Sequence, residues 1–233
     1  MTVKEMYTLE ETIAKDLFEG VTYPWEVLPK ISSFILELGA SLPEEEYEKR
    51  GENVWVARSA KVAPTAFIGG PAIIGKDAEV RHCAFIRGNA IVGEGAVVGN
   101  STELKNVVLF NKVQVPHYNY VGDSILGYKS HMGAGSITSN VKSDKKLVVV
   151  KDDKGNRIET GLKKFGAMMS FDVRGGFEAG KLLMDHVNLI SLATSLGNVD
   201  SLIQHSASMS HATLTPEERA AVGIAEGQVR LSV

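Results

Sequence analysis

Cysteine is almost missing from this 233-residue chain, and Cys83 is the only one. A single thiol excludes an internal disulfide framework and a four-cysteine zinc site, and it suits a reducing compartment. Excess basic charge is missing too. Lys and Arg total 25 against 28 Asp and Glu, for a net charge of -3 and a pI of about 6.1. No basic face therefore marks nucleic acid or an anionic membrane as a partner. No apolar run approaches the roughly 20 residues that span a bilayer. The opening MTVKEMYTLEET lacks the apolar stretch of a signal peptide. His205 and His211 have no carboxylate at zinc-site spacing, so no metal is expected. What remains is a globular protein expected in the cytoplasm, with one sizeable core or two modest ones.

What is present is a strict period of six. Val56, Val62, Ile68, Ile74, Val80, Ile86, Val92, Val98, Leu104 and Phe110 keep step. Four places after each of the first seven comes an alanine, from Ala60 to Ala96, and after Val98 comes Thr102. Repeats of this kind mean a solenoid. Each hexapeptide reads as one side of a triangular β-helix, with the aliphatic residue inward and the small one at a tight corner. Three hexapeptides make a coil of eighteen residues. The phase slips after Phe110 and resumes at Leu126 and Met132, so NKVQVPHYNYVGDSI reads as an irregular loop.

Helical signals flank the repeats. TLEETIAKDLF carries Thr8 and Glu11 at capping-box spacing. YPWEVLPKISSFILELGASL places Pro24 in a first helical turn, and PEEEYEKRG reads as a third helix ending at Gly51. After the repeats, KLVVVKDDKGNRIET predicts a β-hairpin. Beyond it the six-residue rhythm is gone. Ser170 to Val173 and SLIQH suggest strands, FEAGKLLMDHVNLISLATSLG a helix stopped by Gly197, TPEERAAVG a helix capped by Thr215 and Glu218, and VRLSV a final strand. The predicted organisation is a helical segment over 1–52, the β-helix over 53–165 with a hairpin near 146–160, and an α+β fragment over 166–233.

Arg87 and Lys105 are eighteen residues apart, so one coil stacks them on a single face, a rung or ~4.8 Å apart. Two stacked cations make a phosphate site, although each is also readable as an ordinary solvated cation. His117 and Tyr120 lie just beyond, and Lys146 in the next excursion. GPAIIGKD nearly spells a phosphate-binding loop, but Asp77 stands where a Ser or Thr would hold magnesium, and the period of six already explains its apolar residues.

The stretch NSTELKNVVLFNKVQVPHYNYVGDSILGYKSHMGAGSITSN resembles the acetyltransferase half of the bifunctional enzymes that make UDP-N-acetylglucosamine. Residues 1 to about 168 are closer still to short proteins named UDP-N-acetylglucosamine pyrophosphorylase-like. These belong to the hexapeptide-repeat acyltransferases, so the resemblance implies a mainly β fold, a left-handed parallel β-helix, and a homotrimer. It implies that Arg87, Lys105, Tyr120 and Lys146 hold a phosphorylated amino sugar. His117 would be the general base, and Ala134 and Asn140 would sit by acetyl-CoA. His131 stands where the family has a sugar-binding asparagine, which leaves the acceptor open. The nucleotidyl domain of such enzymes is not in this sequence.

Residues 166–233 resemble a different family, the pyridoxal-phosphate (PLP) enzymes of sulfur amino acid metabolism, methionine γ-lyase above all. The resemblance puts Arg230 at the substrate carboxylate and Ser195 near the cofactor. The Schiff-base lysine of that family belongs to an upstream domain that a β-helix replaces here, so no PLP is expected. The expected chain is a chimera acting as a sugar-phosphate N-acetyltransferase. Its rivals are a non-catalytic sugar-phosphate-binding scaffold and a lyase fragment without its lysine.

Overall fold

The computed structural model describes residues 2–138, 146–151, 155–164, 166, 168–169, 177–178, 182, 191–192, 202–205, 207–209, 212–221, 226–227 and 229–232. The chain divides into two compact units. One comprises residues 1–130 with 137–170, the other 131–136 with 171–233.

The first unit is a β-solenoid of about four turns. Short parallel strands stack in three columns. One face carries Val54–Ala57, Ala72–Ile74, Ala90–Val92 and the later halves of Glu103–Leu109 and Tyr120–Leu126, followed by Met168–Met169. The second carries Phe67–Ile68, Phe85–Ile86 and the earlier halves of the same two long strands, with Ile137 bridging to Tyr120. The third carries Lys61–Val62, Glu79–Val80, Val97–Asn100 and Gln114–His117. The inward column forms as the period predicts. Val56, Ile74, Val92, Ile86, Val98 and Leu104 are all fully buried. Corners are turned by residues in the left-handed region, among them Asp77, Cys83, Asn89, Ser101, Asn106, Lys112, Tyr118, Asp123 and Lys129, with φ between 49° and 59°. Such a conformation disfavours a side chain by about 1–2 kcal/mol, and the ladder on either side holds it in place. The alanines that follow the corners, Ala78, Ala84, Ala90 and Ala96, are buried. The small residue thus fills the inside of the turn.

The coil length changes partway. Val56 to Ile74 and Ile74 to Val92 are eighteen-residue steps, whereas Val92 to Leu109 and Leu109 to Leu126 are seventeen. The residue is lost at the Asn106 corner. Ala90 follows Ile86 by four positions, but Val107 follows Leu104 by three. Leu109, not Phe110, therefore takes the inward position. Phe110 matches the period of six only by coincidence. It packs against Tyr7 and Phe18, with ring centroids 5.2 and 5.8 Å away. The stretch read as an irregular loop is a regular coil of the shorter length, with strands at Gln114–His117 and Tyr120–Leu126.

One face points apolar side chains outward as well as inward. Trp55, Ile73, Ile91, Val108 and Ile125 stand in register on its outer side and are at most 9% exposed. The N-terminal segment covers them. The helix Ile31–Ser41 turns Ile31, Ile35 and Gly39, one residue per helical turn, onto the strands. Gly39 lies so close to Trp55 that a Cβ there would be 2.4 Å from the indole ring. Before it, Pro24–Lys30 is 3-10 in form. Pro29 inside it has no N–H to give an α-helical bond. TLEETIAKDLF forms two 3-10 turns, Leu9–Glu11 and Lys15–Phe18, and Thr8 makes no cap. PEEEYEKRG is not a helix either. Tyr47–Lys49 pairs antiparallel with Val54–Ala57, because Tyr47 gains burial there.

The hairpin forms as predicted, from Val149–Lys151 and Arg157–Glu159. In the second unit, Ser191–Leu192, Leu202–His205 and Val229–Ser232 make one small sheet. Ser191–Leu192 pairs parallel with Leu202–Ile203, so the predicted helix does not run to Gly197. Residues 170–173 lie outside the described residues. The helix Pro216–Ala221 has the predicted capping box. The Thr215 N–H donates to Glu218 Oε2 at 2.9 Å, and the Glu218 N–H to Thr215 Oγ1 at 3.2 Å. Arg219 forks onto both carboxylate oxygens of Glu226 at 2.7 and 2.9 Å. That pairing holds the Glu226 carboxyl below its usual range.

Gly39→Ala should force the helix off Trp55. Thermal or denaturant unfolding should report a loss of about 1–3 kcal/mol, with an unchanged far-ultraviolet spectrum of the strands.

Candidate functional site

The ladder that stacks Phe85–Ile86 under Glu103–Leu109 also stacks the two predicted cations. The Arg87 N–H donates to Leu104 O at 2.9 Å, and Lys105 follows in register one rung on. The spacing argument holds, but the pair is not a bare cationic wall. Arg87 Nη1 donates to Glu103 Oε1 at 2.9 Å. Lys105 Nζ donates to Asp123 Oδ2 at 3.0 Å, and Asn106 Nδ2 donates to the other oxygen of Asp123 at 2.9 Å. Asp123 is 6% exposed, at a left-handed corner. Two cations and two carboxylates leave this patch close to neutral. It offers directed donors to an anion rather than a strong positive field.

Tyr120 opens the strand opposite Glu103. Its phenol lies along its own strand over Gly122, where a Cβ would meet the hydroxyl oxygen at 2.4 Å. The Gly122 N–H donates to Thr138 Oγ1 at 2.8 Å. Glu103, and more weakly Tyr120, raise the pKa of Arg87. Arg87, Lys105 and Tyr120 thus share one outer face.

His117 ends the preceding strand and is exposed. Only the corner residues Tyr118 and Asn119 separate it from Tyr120. That corner is braced from within. The His117 N–H donates to Asn119 Oδ1 at 3.1 Å, the Asn119 N–H to Thr102 Oγ1 at 3.4 Å, and the Thr102 hydroxyl to Val115 O at 3.0 Å. Asn119 and Thr102 are 2% and 0% exposed. Beneath Pro116, Gly99 leaves no room for a side chain, since a Cβ would sit 1.6 Å from Pro116 O. Gly99, the bracing role of Thr102, and Asn119 do not stand out residue by residue. Stepping seventeen residues back from Pro116 and Asn119 would have found the first two.

Lys146 is exposed ahead of the hairpin. His131 is half-buried and Ala134 exposed, both in the second unit. Asn140 and Ser195 lie outside the described residues. Arg230 sits on Val229–Ser232, opposite Gln204.

Comparison with known proteins finds two different families along the chain. The GMPPB C-terminal domain model matches residues 68–154, and the Cys/Met metabolism PLP-dependent enzyme model matches residues 150–233. The chain is chimera-like. Its C-terminal segment is 60% identical over 72 residues to an L-methionine gamma-lyase of Fusobacterium nucleatum subsp. polymorphum, covering 31% of this chain and 18% of that protein. The repeat region is 38% identical over 81 residues to the bifunctional protein GlmU of Methanococcus maripaludis, covering 35% of this chain and 19% of that protein. The chain thus spans about a fifth of the length of either relative. Among solved structures, the acetyltransferase domain of PglB from Neisseria gonorrhoeae FA1090 aligns over 49% of this chain and 58% of that one, at 18% identity and a TM-score of 0.27. The repeat region is thus similar to GlmU and to the GMPPB C-terminal domain, and the C-terminal segment to a part of methionine γ-lyase. Among the described residues, no helix is long and apolar enough to cross a membrane.

Lys105→Met should remove one ion pair of the largely buried Asp123 and cost about 1–3 kcal/mol in denaturant unfolding. Arg87→Met removes a more exposed partner and should cost less.

Proposed function

We propose that the repeat-bearing segment transfers an acetyl group from acetyl-CoA to the amine of an amino-sugar 1-phosphate, a step in UDP-N-acetylglucosamine supply. His117 takes a proton from the amine as its nitrogen attacks the thioester carbon. The C–S bond breaks, and coenzyme A leaves as the thiol. Arg87 and Lys105 orient the sugar phosphate, and Tyr120 holds the sugar beside them. The single observation that carries this reading is the braced corner, which presents His117 and Tyr120 next to the face bearing both cations. The further assignments, Lys146 and His131 to the sugar and Ala134 and Asn140 to the donor, rest on the resemblance to the acetyltransferases. The same resemblance supports a cytoplasmic homotrimer. The reading gives pyridoxal phosphate no role.

A second reading has a specific observation behind it. Both cations already have carboxylate partners, and a face so neutralised suits a scaffold that binds a sugar phosphate without turnover.

The two readings separate in one assay, thiol release from acetyl-CoA with glucosamine 1-phosphate. Turnover should fall by roughly 10²–10⁴-fold in His117→Ala. Phosphate-dependent binding to folded wild-type protein without thiol release would favour the scaffold. Equal activity in His117→Ala would remove His117 from the reaction.

A further inference from the structure

The face that carries Arg87 and Lys105 continues below them. Phe67 pairs in register with Phe85, and Phe85 with Glu103. The three form one outward line with a rung of ~4.8 Å between neighbours, and Tyr120 stands next in it, opposite Glu103. The alternation that buries Ile86 turns the rings out, and Phe67 and Phe85 are 58% and 43% exposed. Their centroids are 5.5 Å apart. Arg87 follows Phe85 by two residues on the same side of the strand, a step of about 7 Å. Below Arg87 that second outward line has no side chain. The Gly69 N–H donates to Ile86 O at 2.8 Å, which sets Gly69 under Arg87. A Cβ there would come 3.1 Å from Arg87 O and 3.3 Å from Phe67 Cε1. A recess floored by the Gly69 backbone and edged by the Phe67 ring thus lies under Arg87, beside Phe85.

We infer that this face takes a nucleoside diphosphate amino sugar, with the base on Phe67 and Phe85 and the diphosphate at Arg87 and Lys105. The inference rests on the assignment of the face to a sugar phosphate. That assignment puts the amine toward His117 and the phosphate at Arg87. A group esterified to the phosphate then runs on toward Phe85 and the recess at Gly69. A free sugar 1-phosphate would stop at the cations and leave both rings in water. Every nucleobase has a flat π-face and stacks on an aromatic side chain whatever its identity. Charge agrees with the longer ligand. Glu103 and Asp123 already offset Arg87 and Lys105. A phosphate monoester gathers about two negative charges on one group, whereas the diphosphate spreads its charge over two, which suits separate directed donors. A long apolar tail in place of the base would need an extended groove, and the aromatic line ends at Phe67, on the first strand of its column. The acetyl transfer itself is unaltered. The sugar nitrogen bonds to the thioester carbon, the C–S bond breaks, the amine proton passes through His117 to the departing sulfur, and the diphosphate stays intact.

The test uses the full chain and two probes, UDP-glucosamine and glucosamine 1-phosphate, with dissociation constants from calorimetry. Wild-type protein should bind UDP-glucosamine roughly fivefold to hundredfold more tightly than glucosamine 1-phosphate. In the double variant Phe67→Leu/Phe85→Leu, which keeps apolar bulk at two exposed positions and removes the rings, that ratio should fall towards one. Equal binding of the two probes by wild-type protein would overturn the inference. Thiol release with glucosamine 1-phosphate that depends on His117 would in that case leave acetyl transfer standing. A ratio unchanged in the double variant would also overturn it, and a loss of oligomer mass by light scattering would then assign the rings to a contact between copies. Binding of neither probe would remove the sugar-phosphate assignment and the inference with it. Ring-dependent preference for UDP-glucosamine without thiol release from acetyl-CoA would support the nucleotide site and leave the protein a binding scaffold.

Discussion

The solenoid depends on covering one of its three faces. A coil of parallel strands satisfies its backbone through the rungs above and below, and its inward residues fill the axis. On the face that runs through Trp55, Ile73, Ile91, Val108 and Ile125, the outward residues are apolar as well. Left in water, each would forfeit about 1.5–3 kcal/mol of burial, and the set would form an exposed stripe of the kind soluble proteins avoid. The segment before the first coil removes that stripe. Ile31, Ile35 and Gly39 press on it directly, and Tyr7 and Phe18 reach Phe110 at its edge. The N-terminal residues are thus the fourth wall of the same core.

A covered face and rigid corners leave the other faces free for chemistry. The corner between His117 and Tyr120 is held by buried Asn119 and Thr102, so both side chains leave a backbone with little freedom to move. The corner at Cys83 has the same left-handed turn and a different equipment of side chains. One repeating backbone device thereby presents distinct functional groups at fixed intervals, and the interval shortens from eighteen to seventeen residues at Asn106. The shortening advances every later side chain by one position. Glu103 consequently faces Tyr120, and Gly99 lies under Pro116.

Much of this was legible in the sequence, and the failures have physical causes. The period of six showed the solenoid because inward residues must be apolar and the residue after each corner must be small. It hid the shorter coil because Phe110, wanted by the N-terminal segment, happened to fall in phase. The covered face was readable in Ala72-Ile73-Ile74 and Ala90-Ile91-Val92, apolar at three successive positions where a half-exposed strand would alternate, but the search for a six-residue step passes over it. PEEEYEKRG has helix-forming composition, and pairing with Val54–Ala57 overrides it. At the site, stacking of Arg87 and Lys105 followed from arithmetic. Their carboxylate partners were passed over, although Asp123 lies eighteen residues after Lys105 and was open to the same arithmetic, while Glu103 reaches Arg87 diagonally, sixteen residues on. In the C-terminal fragment, the cap at Thr215 was local and therefore visible, while Ser191–Leu192 became a strand through a partner eleven residues away.

Native-state hydrogen exchange tests most directly the claim that the N-terminal segment and the solenoid share one core. The amides of Ile35 to Gly39 should exchange at the same free energy as those of Ile73, Ile91 and Val108, opening only when the coils open. Exchange in the helix that is faster by orders of magnitude, with the strands still protected, would show the cap lifting off a self-sufficient solenoid and would contradict the account.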